Sequence, residues 1–526
     1  MKDRFVDDRL PAAEALPNFD LLDYPDRLNA AGELLKRGTP GAVAVVNEYG
    51  SWSYADLDNF SGRIARLLVD QLGLIPGNRV LLRGPNGYTL FAAWLGVLKA
   101  GGVVVATMPL LRPSEIATVI ERAEISHAIV DSRFIGDFRE AMSQTRFVKH
   151  LIKYDGDYGK GELESRCVGL APLVPVDTAA DEPALIAFTS GTTGIPKGCV
   201  HFHRDLLAPC DTFAQAHFAM KPGDIVMTSA PIAFTFGLGA TLLFPLRFGA
   251  ATATIEQPSP PAMLDAIAKH KATHLATAPT AYKAMLSQPG LDAALKSLTT
   301  CLSAGEHLPE AVWHAWHERT GIAIVDGIGA TEMMHIFISA SGDAIRPGST
   351  GQAVPGYQAT VLDLANQPMV EGEGRLAVRG PTGCRYLDDP RQKDYVQNGW
   401  NITGDTYRRD EDGYFWFVAR SDDMIVSSGY NIAAPEVENA LLAHPAVAEC
   451  AVIGVQCDER GQKVKAFVVL APDSPPSDAL ISKLKDFVKA SIAPYKYPRE
   501  IEIVEALPKT VTGKLRRSKL RNRTVE

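Results

Sequence analysis

The stretch LIAFTSGTTGIPKGCVHFH, residues 185–203, sets an apolar, strand-like run against three glycines, four hydroxyl side chains and one lysine. An apolar strand opening into such a loop suits an anion. Gly191 and Gly194 let backbone N–H groups approach phosphate oxygens, Thr189, Ser190, Thr192 and Thr193 add hydroxyl donors, and Lys197 adds charge. A Walker loop requires GxxxxGK followed by Ser or Thr. Counting from Gly191, the sixth position is Pro196, and Lys197 is followed by Gly198, so that pattern fails. No GxGxxG opens a helix either.

Working outward, helix-length segments alternate with short apolar runs up to about residue 420. The segment 53–72 reads as a helix with Leu57, Phe60, Ile64, Leu67 and Leu68 on one stripe. RVLLRG (79–84), GGVVVAT (101–107), HAIVD (127–131), ALIAFTS (184–190) and IAIVDGIG (322–329) read as strands. This alternation predicts an α/β protein whose large N-terminal domain, residues 1–420, holds layered, largely parallel sheets and helices. Ligands of such folds gather beyond the carboxyl ends of strands, where the glycine-rich loop sits. Residues 154–183 form the longest expected loop.

After residue 420 the composition shifts. Pro435 opens a helix with Val437, Ala440, Leu441 and His444 on one face, followed by strand-like 448–455 and 465–471. A second helix, 478–492, turns Leu480, Ile481, Leu484, Phe487 and Val488 inward, and EIEIV (500–504) precedes a basic tail. Residues 421–526 are therefore expected to form a small α+β domain.

The chain has 526 residues, too many for one core. Its net charge of -8 argues against nucleic acid or an anionic membrane as the main partner. Seven scattered cysteines without a CxxC pair read as reduced, mostly buried thiols. The N-terminus lacks the apolar core of a signal peptide, and the longest apolar region, 90–111, is broken by Lys99 and by Gly101 and Gly102. A cytoplasmic protein, monomer or homodimer, is the expectation. His314 with His317, and His201 with His203, lack the accompanying ligands of a metal site.

Taken whole, TSGTTGIPKG (189–198) resembles the phosphate-loop signature of the adenylate-forming superfamily, which includes acyl-CoA synthetases, luciferases and carrier-loading adenylation domains. Five further motifs stand in the family's order: SAGEHLP (303–309), DGIGATE (326–332), TGDTYRRDEDGYFWFVAR (403–420), SSGYNIAAPEVE (427–438) and LPKTVTGKLRR (507–517). The resemblance spans essentially the whole chain. It implies a large N-terminal domain with a small mobile C-terminal lid, and the cofactors and co-substrates ATP, Mg2+ and coenzyme A.

The resemblance also implies roles. Glu332 would hold the magnesium, with Thr331 beside it on the α-phosphate. Asp405 would accept the ribose hydroxyls, with Arg420 as its cationic companion. Ser303, Ala304, Gly305, Glu306, Asp326, Gly327, Ile328 and Gly329 would bind the nucleotide, with Gly305, Glu306 and Asp326 lining the adenine and Ile328 standing where the family often has an aromatic. Lys514 would be the catalytic lysine of adenylation, and Asp422 the hinge by which the lid withdraws it. Gly429 would then flank the pantetheine tunnel; Asn431 stands where the family sometimes has a basic residue.

The acid remains. PIAFTFGLG (231–239) matches the family's gating segment and lacks the acidic residue that α-amino acids require. DGIGATEMMHIF (326–337) and HFHRDLLA (201–208) resemble benzoate-CoA and 2-aminobenzoate-CoA ligases. Ala233, Phe234, Phe236 and Gly237 would gate and line the pocket, His335 and Ile336 would contact a small planar ring, and Ser303 and Gly327 would form its floor. The expected partner is thus a small aromatic carboxylic acid. Alternatives are a stand-alone enzyme loading an acyl carrier protein, a CoA ligase for another small or medium-chain acid, and a non-enzymatic nucleotide-binding regulator.

Overall fold

Strands covered on both faces must be apolar almost throughout. In the computed structural model, Arg79–Arg83 and His127–Asp131 are buried along their whole length and Val103–Thr107 nearly so. The buried guanidinium of Arg83 donates through its two terminal nitrogens to the carbonyls of Met108, Pro109 and Leu111 at 2.7, 2.7 and 3.0 Å. The structure describes residues 1–157, 159–189, 196–420, 424–427, 430–457, 461–492, 496–509 and 515–522.

The chain divides into two compact units, Met1–Ala359 with Val378–Asn401, and Thr360–Ala377 with Ile402–Glu526. The boundary expected near Arg420 therefore falls inside the second unit. The strands before it, Trp400–Arg409 and Phe415–Arg420, pair with each other as an antiparallel hairpin, a pairing that composition does not announce.

In the first unit, the described residues form two sheets. One runs in the order His150–Tyr154, His127–Asp131, Arg79–Arg83, Val103–Thr107, Pro183–Thr189, Lys197–Phe202, parallel except for its last pair. In the other, Ile324–Gly329, Thr300–Ser303, His274–Thr277, Ile225–Thr228, Ala251–Ala253 and Val43–Val46 run parallel, with antiparallel strands at both edges. The expected largely parallel α/β layering is present.

Two helices show how the sequence builds these layers. Tyr54–Asp70 starts from a capping box between Ser53 and Asp56 and buries Leu57, Ile64, Leu67 and Leu68. Phe60 sits at the margin of that stripe, stacked on Tyr88 at 5.7 Å. The helix Tyr88–Lys99 is buried all round, and Gly96 permits its close approach: a Cβ there would meet the Ser61 carbonyl at 2.9 Å. Its one cation, Lys99, is held by Asp58 at 2.5 Å. The expected loop 154–183 is partly ordered into a helix, Glu162–Cys167, and its Asp157 caps the Tyr88–Lys99 helix through the backbone N–H groups of Tyr88 and Thr89.

In the second unit, Val447–Cys457 and Gly461–Leu470 form a long antiparallel pair, and Glu500–Ile503 adds a parallel strand. The helix Ala434–Leu442, with Pro435 in its first turn, and the helix Asp478–Ser491 pack on it through Val437, Ala440, Leu441, Leu484 and Val488. That matches the α+β unit expected there. His444 lies past the helix end, its ring edge-on to Phe487 at 5.0 Å. All seven cysteines are free and five are buried. Among the described residues no helix is long and apolar enough to cross a membrane.

Candidate active site

The glycine-rich segment joins two antiparallel strands, not a strand and a helix. Pro183–Thr189 pairs with Lys197–Phe202 so that Thr189 faces Lys197 across the mouth of the loop. Ser190, Gly191, Thr192, Thr193 and Gly194 lie outside the described residues. Strand alternation places Lys197, Cys199 and His201 on one face. The Pro196 carbonyl, at the loop's exit, accepts from Arg122, which also pairs with Asp389 at 3.0 Å.

That face meets the turn Thr331–Met333. Lys197 Nζ lies 3.5 Å from Glu332 Oε1 and 2.5 Å from Tyr386 Oη, whose own hydrogen bond goes to the same Glu332 oxygen. Burial and the Glu332 charge push the Tyr386 hydroxyl far above its ordinary range, so it stays a donor. His201 Nε2 donates to the Thr331 carbonyl at 2.8 Å, and Thr382 donates to that of Met333 at 2.8 Å. The turn is thus held at three successive residues. Met334, next in the chain, adopts φ 68° and ψ -38°, a conformation costing of order 1–3 kcal/mol for a side-chain-bearing residue. Clamps of this kind keep such a residue in place.

The adenine and pocket candidates of this unit converge on the same strand ends. Ser303 is paired in register with Asp326, and Gly327 with Ser339. A Cβ on Gly327 would lie 2.7 Å from the Ile336 side chain, and one on Gly329 would lie 2.7 Å from the His335 carbonyl. Both glycines therefore mark close approach. Gly305 has φ 89°, and its Cβ would meet nothing, so backbone conformation alone selects glycine there. Ala304 is buried; Glu306 and Ile328 are half-buried.

His335 is fully enclosed. Its ring lies 4.6 Å from Phe244, 5.4 Å from Phe213 and 5.7 Å from Phe236, and Nε2 faces the Phe236 carbonyl at 3.3 Å. Burial drives its pKa down to about 3, leaving a neutral ring. Ile336 and Gly237 are buried, Ala233 and Phe236 half-buried, and Phe234 is 37% exposed.

Asp326 is half-buried, and the desolvation of its carboxyl pushes it up to about 7, partly offset by the Ser303 hydroxyl and the Gly327 N–H. Among the described residues its Oδ1 has no partner, and a cavity of about 10 Å3, room for a single water, adjoins it. The folded chain holds this proton where the unfolded chain, near 3.8, has released it. The resulting stability is present below about pH 4 and lost as pH rises through about 7, a span of at most about 4 kcal/mol. Asp326→Asn is expected to remove that component. Melting midpoints of both proteins at about pH 5 and about pH 7.5 check this: identical differences would refute it.

In the second unit, Asp405 and Arg420 face each other across a strand pair, joined at 3.2 Å, with the Asp405 side chain 11% and that of Arg420 49% exposed. Asp422, Gly429 and Lys514 lie outside the described residues. His314, on the helix Glu310–Thr320, contacts Glu310 at 3.4 Å, both side chains exposed. Tyr386, Thr382, Phe213 and Phe244 escaped the sequence reading, and His201 was weighed there only as a metal ligand. For His201 a signal existed: it shares strand parity with Lys197.

A carboxylate, a lysine and a hydroxyl-rich loop at strand ends, with a carboxylate–arginine pair in the second unit, define a nucleotide-using enzyme. Residues 35–385 match the family described as AMP-binding enzyme, and residues 436–514 match the AMP-binding enzyme C-terminal domain. The chain belongs to this family, the adenylate-forming enzymes. It is 36% identical over 513 residues to a benzoate–CoA ligase of Thauera aromatica, covering 95% of this chain and 97% of that one. A crystal structure of an anthranilate–CoA ligase in complex with anthranoyl-AMP superposes with a TM-score of 0.89 at 32% identity, covering 95% of this chain and 98% of that one. A benzoate–CoA ligase from Burkholderia xenovorans LB400 gives 0.86 at 33% identity, covering 94% and 100%.

Proposed function

We propose that the protein is an AMP-forming aryl-acid–CoA ligase, acting on a benzoate- or 2-aminobenzoate-type acid. The observation that carries the choice of acid is the neutral His335 ring, set among Phe213, Phe236 and Phe244 three residues after Glu332. A flat, apolar ring against the half-buried Phe236 meets an uncharged wall backed by His335, Phe213 and Phe244, and an ammonium at the α-carbon finds no carboxylate in residues 231–239.

The enzyme is an acid–CoA ligase and uses ATP, Mg2+ and coenzyme A. The acid's carboxylate oxygen attacks the α-phosphorus, the bond to pyrophosphate breaks, and acyl-AMP forms. The thiol of coenzyme A then attacks the acyl carbon, losing its proton as AMP leaves. Two anions meet in the first step, so placed cations and backbone dipoles decide its rate. Thr189 and the loop to Lys197 receive the β- and γ-phosphates. Asp326, with its unpartnered oxygen, meets the base, and Asp405 with Arg420 takes the ribose. Thr331 meets the α-phosphate, Lys514 bridges it to the attacking carboxylate, and Gly429 borders the thiol's path. Asp422 is the proposed hinge between the half-reactions, with the lid beginning at residue 421.

Mg2+ needs hard oxygen ligands and commonly takes one or two carboxylates, with phosphates and water completing its shell. Glu332 fits: it is 7% exposed, and its contacts among the described residues fall on Oε1. The ion supplies charge neutralisation of the phosphates.

Pyrophosphate release, measured with benzoate, 2-aminobenzoate and short fatty acids with and without coenzyme A, tests the reading. Aryl acids are expected to exceed aliphatic ones by at least about tenfold, the scale of a pocket's apolar discrimination. Preference for a fatty acid would overturn the aryl assignment. Adenylate that passes only to a carrier protein would overturn the acceptor.

A further inference from the structure

Lys197 and Glu332 end on one phenol. Tyr386 is 1% exposed and stands between them, accepting from Lys197 Nζ at 2.5 Å and hydrogen-bonding to Glu332 Oε1. Its ring face lies 4.5 Å from the same ammonium, and Tyr395 packs edge-on at 5.8 Å. The backbone is fixed as well. Tyr386 N–H donates to Gln392 at 2.9 Å, and the neighbouring Arg385 and Leu387 bond to Val200 and Gly198 at 2.8 Å, placing Tyr386 opposite Cys199.

This arrangement does something a lysine–glutamate pair alone would not. An ammonium in direct contact with a carboxylate competes with any incoming cation for its oxygens. Here the ammonium rests 2.5 Å from the phenol and 3.5 Å from the carboxylate, and ammonium and phenol meet that carboxylate on the same oxygen, Oε1. We propose that Tyr386 is a positioning residue for the metal–nucleotide step: its hydroxyl turns Glu332 so that Oε2 is presented to Mg2+, and holds Lys197 off that carboxylate, ready for phosphate. The inference rests on the reading of Glu332 as the magnesium ligand.

Tyr386→Phe keeps the ring, its packing and its face toward Lys197, and deletes only the hydroxyl. Lys197 then closes directly onto Glu332. Partners of this outer kind typically carry 10–100-fold in metal affinity. The test is calorimetric titration of ATP into the full-length protein across a Mg2+ series and in EDTA, for the parent, Y386F and E332Q. A melting midpoint confirms that each variant is folded. In Y386F the Mg2+ concentration that half-maximally tightens ATP binding is expected to rise about tenfold or more, and ATP affinity in EDTA to fall as Lys197 is drawn onto Glu332, while the KM for the acid stays within about twofold. A structural defect would move the acid's KM as well. A Y386F series that overlays the parent, while E332Q is shifted to higher Mg2+, overturns the role of Tyr386. An E332Q series with the parent's half-maximal Mg2+ concentration overturns the assignment of Glu332, and the inference with it.

Discussion

Lys514→Ala protein is expected to bind ATP as the parent does and to form acyl-AMP at least about a thousandfold more slowly. The asymmetry follows from where the charge matters. On the proposed reading the triphosphate is met in the ground state by the loop from Thr189 to Lys197, so one further ammonium adds little to binding. In the transition state the attacking carboxylate and the α-phosphate are forced together. An ammonium about 4 Å away is then worth about 4 kcal/mol at an effective dielectric near 20, or roughly a thousandfold. A contribution made only there lowers kcat and leaves nucleotide affinity alone. Pyrophosphate exchange reads the first half-reaction and calorimetry reads binding. Supplying presynthesised acyl-AMP should restore thioester formation, because that step does not use the lysine. Adenylation within about threefold of the parent would remove Lys514 from the mechanism.

The parts of this site that could be read from the sequence are those whose chemistry is local. Thr331 and Glu332 sit together in GATE, and the parallel strands announce themselves as short apolar runs because both faces are covered. Register is a different matter. That the glycine-rich loop closes a hairpin, with Thr189 opposite Lys197, depends on hydrogen bonds between strands and leaves no mark in the spacing. Tyr386 was invisible for the same reason: its partners stand 189 and 54 residues away, and a tyrosine in RYLDDP has no pattern of its own. His201 illustrates a third case. Its partner is the Thr331 backbone carbonyl, a group every residue carries, so no search for ligand side chains could find it. The aromatic wall around His335 was half legible, Phe236 from its segment and Phe213 and Phe244 only from packing.

Glu332→Gln separates the metal's role from the nucleotide's. Glutamine keeps an acceptor oxygen for Tyr386 and Lys197, so the clamps on Thr331 and Met333 remain and the fold is expected to persist. What disappears is a negative charge, 7% exposed, beside Lys197. Two consequences of opposite sign follow. Metal-free ATP no longer meets that carboxylate, and Lys197, 3.5 Å from it in the parent, is released to the phosphates. Affinity for ATP in EDTA should therefore be unchanged or up to about tenfold tighter, about 1.4 kcal/mol. Mg2+, by contrast, loses the carboxylate ligand proposed for it, and kcat/KM for ATP should fall about a hundred- to a thousandfold, the about 3–4 kcal/mol expected when one charge contact is deleted at about 4 Å. Unlike Lys514→Ala, this loss should shrink as Mg2+ is raised, because mass action can replace a weakened site but not a missing ammonium. Steady-state rates at about 1 mM and about 50 mM Mg2+ distinguish the two variants. A Glu332→Gln enzyme whose deficit ignores Mg2+ would place the carboxylate's work in the loop's geometry instead of at the metal.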